Sequence, residues 1–278
     1  MREAVKQEAI LASLGTRWVG RSVHVYEEVG STNKTLAQLA AAGAPAGTMV
    51  IADYQSQGRG RRRRRWEAPP RSSLLFSLLF RPQWPSAQAP WLTMMAGLAV
   101  VVAIQAHTPL AVGLKWPNDV MVWDEGRPAA PVAQWCKAGG LLLETQSDGE
   151  QLQQAIVGIG LNVNIPREAL PAAETPATSL LAAGGRALSR VPLLASILQH
   201  LESLYEEATA GHSPQPAWDA RLLTRNRSVR VTSDDGVVEG IALGSDEWGR
   251  LLVRTAQGEV RRFAAGDVTL RAAGGVAR

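Results

Sequence analysis

The stretch from Trp91 to His107 constrains the fold more than any other. It is almost wholly apolar. It stops short of the roughly 18 uncharged residues that a membrane span needs, so it reads as a helix buried inside a protein. Such a helix must be wrapped by other layers. A chain of 278 residues with 46% hydrophobic and 19% charged residues can supply them, as one large domain and one small one with two separate cores.

Periodicity supplies the layers. Residues 4 to 14 have helical spacing, 23 to 26 alternate as a strand, and Ser31 or Thr32 caps a helix that runs to Ala42 and stops at Gly43. Strands are expected at 48–53, 74–80, 114–116, 119–123, 139–146 and 154–163, with helices at 88–106, 178–183 and 192–209. The close succession of strands predicts an α+β domain, a mixed or antiparallel sheet covered by helices. After Thr224 the pattern changes to short alternating strands at 228–232, 237–243, 251–255, 260–263 and 268–270, with turn signals at Asp235-Gly236, Trp248-Gly249 and Gln257-Gly258. That predicts a small β-barrel, so the domains are placed at 1–224 and 225–278.

Charge and cysteine content narrow the function. The formal net charge is +4, but Arg59 and Arg61 to Arg65 carry six positive charges, so the rest of the chain is net negative. With only four lysines, the chain lacks the dispersed basic face of a nucleic-acid binder. Cys136 is the single cysteine, which excludes an internal disulfide framework and suits a reducing compartment. The four histidines show no metal-ligand spacing. No signal peptide is legible at the N-terminus, and a cytoplasmic location is expected. Nine tryptophans are many for this length, and some should line a pocket.

Three segments carry chemistry. Gly58-Arg59-Gly60-Arg61-Arg62-Arg63-Arg64-Arg65-Trp66 combines glycines, which let backbone approach a ligand, with guanidinium forks that grip phosphate or carboxylate oxygens. Alone, it reads equally well as a solvated basic loop or a nucleic-acid patch. Lys115-Trp116-Pro117-Asn118-Asp119 puts a cation, an amide and a carboxylate on a stiff turn between two strands, where a capped hairpin is the plainer reading. The third is a pair of strands, Lys137-Ala138-Gly139-Gly140-Leu141-Leu142-Leu143-Glu144 and Gly158-Ile159-Gly160-Leu161-Asn162-Val163-Asn164. Glycine weakens a strand unless something must approach the backbone closely. A ligand lying across the sheet would explain both strands; a bulge would explain either alone.

In this order, and with Ser31-Thr32-Asn33 upstream, these segments resemble the biotin–protein ligase family along almost the whole chain. The resemblance implies a class II synthetase-like biotin/lipoate ligase fold with a C-terminal SH3-like β-barrel. It implies activation of biotin by ATP with Mg²⁺ to biotinoyl-5'-AMP, then transfer to a lysine of a biotin carboxyl carrier protein. By resemblance, Ser31, Thr32, Asn33, Gln55, Gly58, Arg59, Gly60, Arg61, Trp66, Lys137, Gly139 and Gly158 hold biotin. Arg61, Arg64, Trp66, Lys115, Asn118, Asn162, Asp267 and Arg271 hold ATP. Lys137, Arg59, Arg61 and Asp119 serve catalysis, with Asp119 also on the metal. Two departures stand out: Arg63 occupies a position where the family usually has glycine, and the segment between Asp119 and Lys137, with Trp123, Pro128, Pro131 and Trp135, is longer than usual. Only about 20 residues precede the first strand, so the resemblance implies no winged-helix repressor domain and no sequence-specific DNA binding. A homodimer is expected. The competing readings are a lipoate–protein ligase and, in a different class, a nucleic-acid-binding protein that uses the arginine loop.

Overall fold

The structure is a computed structural model that describes residues 4–126, 134–171, 175–234 and 236–270. Pro128, Pro131, Asp235 and Arg271 lie outside the described residues. In chain order the elements are α1 (Gln7–Ser13), β1 (Val23–Val29), α2 (Thr32–Ala41), β2 (Met49–Gln55), β3 (Ser73–Phe80), α3 (Ala89–His107), β4 (Val112–Lys115), β5 (Asp119–Trp123), β6 (Trp135–Asp148) and β7 (Gln151–Asn162). After them come α4 (Leu180–Gly184), α5 (Arg190–Thr209), α6 (Gln215–Arg221), β8 (Ser228–Ser233), β9 (Gly236–Ser245), β10 (Leu251–Arg254), β11 (Val260–Phe263) and β12 (Asp267–Leu270).

The first seven strands form one sheet in the order β1-β2-β3-β7-β6-β5-β4. β1 and β2 run parallel with α2 as their crossover, and every other pair is antiparallel, so the sheet is mixed as expected. β3 is buried along its whole length. Its alternation sends Leu74, Phe76, Leu78 and Phe80 into the main core with α3 and α5, while Leu75, Ser77 and Leu79 face the opposite side. There Leu36 and Ala40 of α2 pack on Val50, Leu79 and Ile156. α3 with its preceding turn, Ser86–His107, is by length and composition apolar enough to cross a membrane, and most of it is buried in this core.

β8 to β12 form the expected C-terminal antiparallel sheet, in the order β11-β10-β9-β8-β12. The expectation of two cores needs correction, because Val229, Val231, Leu251, Val253, Phe263 and Val268 join the same apolar cluster as α3 and β3. Polar contacts reinforce the junction. Trp91 and Trp116 donate their indole N–H groups to the carbonyls of Glu247 (2.8 Å) and Gly249 (2.9 Å), and the buried Asp219 of α6 accepts from Ser245 N and Oγ. A packed, hydrogen-bonded junction fixes where β12 lies relative to the large sheet.

Other details differ from the sequence reading. α6 is not expected from the sequence, since it is short, starts at Pro214 and Pro216 and carries little periodic signal. Ser31 occupies the N-cap of α2 without a side-chain cap bond. The arginine segment, expected to lack regular structure, contains one 3₁₀ turn at Arg61–Arg63.

Candidate active site

The sheet face opposite α3 opens into a cavity of about 1110 Å³. Of the residues singled out from sequence, Ser31, Thr32, Asn33, Gln55, Arg59, Gly60, Arg61, Arg64, Trp66, Lys115, Asn118, Asp119, Lys137, Gly158, Asn162 and Asp267 all line it, although they come from segments far apart in the chain. Gly58 and Gly139 do not line it.

One end of the cavity is a polar chain built on α2. Gln55 Oε1 accepts from Thr32 N (2.8 Å) and Thr32 Oγ1 (3.1 Å), doing for the helix N-terminus what Ser31 was expected to do. Ser77 Oγ, on the site face of β3, lies 2.7 Å from Thr32 Oγ1 and 2.6 Å from Asn33 Oδ1. Asn33 Nδ2 donates to Glu144 Oε2 at 2.7 Å, and Glu144 Oε1 meets Arg59 at 2.7 Å. Ser77 and Glu144 were not picked out from sequence, where a serine or glutamate in a strand carries no distinguishing signal.

Glycines on this face make room for the protein's own side chains. A Cβ on Gly158 would fall 2.2 Å from Asn33 Oδ1, and a Cβ on Gly160 would fall 2.7 Å from the Trp66 ring. Asn33 and Trp66 thus pack against these two glycines, and both glycines also line the cavity. The expectation for Gly139 is corrected. A bulge shifts the register so that Val120 pairs with Gly139 and Met121 with Lys137, leaving Ala138 as the extra residue. Lys137 and Gly140 therefore share the cavity face, while a Cβ on Gly139 would meet Val120 and Leu161.

The arginine segment forms a short hairpin stem. Gly60 N donates to Arg64 O, Trp66 N donates to Gly58 O, and a Cβ on Gly58 would fall 2.2 Å from Trp66 O, so glycine is required there. Arg62 and Arg63 have φ of 51° and 61°, in the left-handed region. Side chains of the stem reach the C-terminal sheet: Arg64 meets Asp267 at 2.6 Å, Arg62 meets Asp267 and Asp234 at 3.3 Å, and Arg61 donates to Gly266 O at 3.4 Å. Burial lowers the Arg61 pKa and Asp267 opposes the shift, yet an arginine keeps its charge.

The turn Lys115 to Asp119, with a cis Trp116-Pro117 bond, faces the stem across the cavity. Asn118 is tied to β6, its Nδ2 donating to Leu141 O at 2.6 Å. Lys137 Nζ lies 2.5 Å from Asp119 Oδ1 and 5.8 Å from the Trp66 ring centroid. Burial lowers the Lys115 pKa; Asp119 opposes that shift and Lys137 adds to it. Trp66 Nε1 and Asn162 Oδ1 are buried without hydrogen-bond partners, a donor and an acceptor that an occupant of the cavity would satisfy. Among the described residues no three metal-ligating side chains gather. Six cations (Arg59, Arg61, Arg64, Arg65, Lys115 and Lys137) around a cavity with tryptophan walls suit a ligand that carries both phosphate and apolar parts.

Known proteins share this sequence pattern and fold. The sequence profile of the Biotin/lipoate A/B protein ligase family matches residues 25–162, and that of the Biotin protein ligase C terminal domain matches residues 224–271. The chain is 36% identical to a Biotin–[acetyl-CoA-carboxylase] ligase of Mycobacterium tuberculosis, over 93% of this chain and 91% of that one. It is 32% identical to a Bifunctional ligase/repressor BirA of Bacillus spizizenii, over 96% of this chain and 79% of that one. Among solved structures, it superposes on a biotin protein ligase from Aquifex aeolicus in complex with biotin and ATP with a TM-score of 0.71 and 27% identity, covering 91% of this chain and all of that one.

Proposed function

We propose, for a chain that belongs to the biotin protein ligase family, that it activates biotin with ATP to biotinoyl-5'-AMP and transfers the biotinoyl group to a lysine of a biotin carboxyl carrier protein. The observation that carries this reading is Lys137, set by the bulge between Asp119 and Trp66 in a cavity that the arginine stem closes. Adenylation brings two anions together: a carboxylate oxygen of biotin attacks the α-phosphorus of ATP and pyrophosphate leaves. Lys137 and Arg61 offset the charge that accumulates at that phosphorus, Lys115 and Arg64 hold the phosphates, and Trp66 walls the site from water. Thr32, Asn33 and Gln55, oriented by Ser77, hold the polar head of biotin.

Mg²⁺ belongs with the nucleotide. The carboxylates that line the cavity, Asp119, Asp267 and Glu67, are already paired with Lys137, Arg64 and Arg65, which fits an ion held mainly by substrate phosphates rather than a resident metal site. In the second step a neutral carrier lysine attacks the carbonyl of the mixed anhydride, the bond from that carbonyl carbon to the phosphate oxygen breaks so that AMP leaves, and the amine gives up one proton to solvent. Asp119 acts here by orienting Lys137, a role its 2.5 Å contact supports.

The finer expectations belong to the same proposal: a homodimer, no sequence-specific DNA binding and a cytoplasmic location. The pairing of Arg59 with Glu144 and of Arg62 with Asp234 and Asp267 supports the second, because these arginines already face carboxylates. Cys136, buried and outside any disulfide, suits the third. Incubating the protein with biotin, ATP, Mg²⁺ and a carrier domain tests the function. Mass spectrometry should find one biotinoyl group on one carrier lysine, and no modification of an otherwise acceptable carrier would refute it.

A further inference from the structure

A cluster of the buried Asp124 and Thr178 with the exposed Arg167 lies behind the cavity wall, and none of its members is singled out by sequence. Asp124 follows β5, and its side chain is 0% exposed. Arg167 grips it with both guanidinium nitrogens, at 3.0 and 2.7 Å, Thr178 Oγ1 donates to it at 2.7 Å, and Gly126 N adds a fourth bond. Burial pushes the Asp124 carboxyl up, but these donors hold it below the usual carboxylate range, so it is charged at neutral pH.

Arg167 and Thr178 bracket the segment that returns from β7 to α4, and the described part of it beside Thr178 forms a wall of the cavity through Thr175, Pro176 and Ala177. The same stretch pairs with the bulged part of β6. Lys137 N donates to Pro176 O at 2.7 Å, and Thr178 N donates to Lys137 O at 2.9 Å. Thr178 O also accepts from Asn162 Nδ2 at 3.0 Å, which turns Asn162 Oδ1 towards the cavity. Thr178 thus touches the buried carboxylate with its side chain and two site residues with its backbone.

From this geometry we infer that Thr178, anchored by Asp124 and Arg167, is a positioning residue that fixes the backbone of Lys137 and the amide of Asn162 for adenylation. The inference rests on the proposed role of Lys137. A bulge interrupts the regular ladder beside that lysine, so β5 alone does not define the backbone there, and the bonds from Pro176 and Thr178 complete its pairing. Small misplacement of a group that acts in the transition state lowers turnover while ground-state binding survives.

The test uses Thr178→Val, which keeps the volume and removes the hydroxyl, and Thr178→Ser, which keeps the hydroxyl. Biotin-dependent exchange of labelled pyrophosphate into ATP gives kcat, and calorimetry gives biotin affinity, both well below each variant's melting temperature. Thr178→Val should lower kcat by about tenfold and leave the biotin Kd within about twofold, while Thr178→Ser stays within about twofold of the parent in both. Should the valine variant not fold, Arg167→Lys, which keeps the charge and loses the fork, should lower kcat by about fivefold with the same split. Parental kcat in the folded variant, or kcat and biotin affinity falling together, overturns the inference. Absence of exchange in the unmodified protein would instead refute the ligase reading.

Discussion

Lys137 Nζ and Asp119 Oδ1 meet at 2.5 Å because β6 carries one residue more than β5 between Gly139 and Lys137. The pair is partly exposed to the cavity, so an incoming phosphate can share the lysine. Lys137→Ala should therefore lower the single-turnover rate of adenylate formation by about 100-fold or more. Biotin affinity, measured by calorimetry, should change by less than about fivefold, since a cation facing developing charge acts mainly in the transition state. Equal losses in both would show that Lys137 only binds.

Arg63 sits at φ 61°, a conformation that disfavours any side chain with a Cβ by about 1–2 kcal/mol. Arg63→Gly should relieve this and favour the closed stem, whereas Arg63→Ala removes the same charge and keeps the strain. Biotin should bind the glycine variant about fivefold more tightly than the alanine variant. Equal affinities would mean that closure does not require this backbone conformation.

Arg61 spans the cavity and reaches the carbonyl of Gly266 on the C-terminal sheet. Arg61→Ala should speed release of biotinoyl-5'-AMP by more than it slows its synthesis, so that unintended lysines become modified in the presence of biotin and ATP. Stopped-flow release and labelling of a bystander protein measure the two effects. Unchanged release would leave Arg61 as a solvated charge only.

The large sheet, its long buried helix and the change to short strands after Thr224 were legible because burial imposes periodicity on sequence. Most residues that line the cavity are named in the sequence reading through the family resemblance, since the arginine run and the glycine strands alone leave plainer readings open. Contacts between distant segments were not legible. Strand alternation cannot reveal the bulge that puts Gly140 rather than Gly139 on the cavity face, and nothing local shows that Asn33 and Trp66 pack against Gly158 and Gly160. Ser77 to Asn33, Glu144 to Asn33 and Thr178 to Asp124 are bonds across 44, 111 and 54 residues, separations that composition and spacing do not encode.

Lys115 supplies a pH dependence whose direction is fixed. Burial lowers its pKa from the ordinary lysine value, so the cation is present below the lowered pKa and lost as pH rises through it. For folding, the penalty of burying the charge is full below the lowered pKa and fades above it. For catalysis, the KM for ATP should rise on the alkaline side, beginning below the titration range of an exposed lysine. Lys115→Arg stays charged and should flatten that limb. An identical limb in the arginine variant would assign it to another group.

The most direct test of the central claim is exchange of labelled pyrophosphate into ATP, measured with biotin, with lipoate and with neither. The account predicts label in ATP only when biotin is present, and loss of that signal in Lys137→Ala. Exchange that lipoate supports as well as biotin does, or none with biotin, would contradict it.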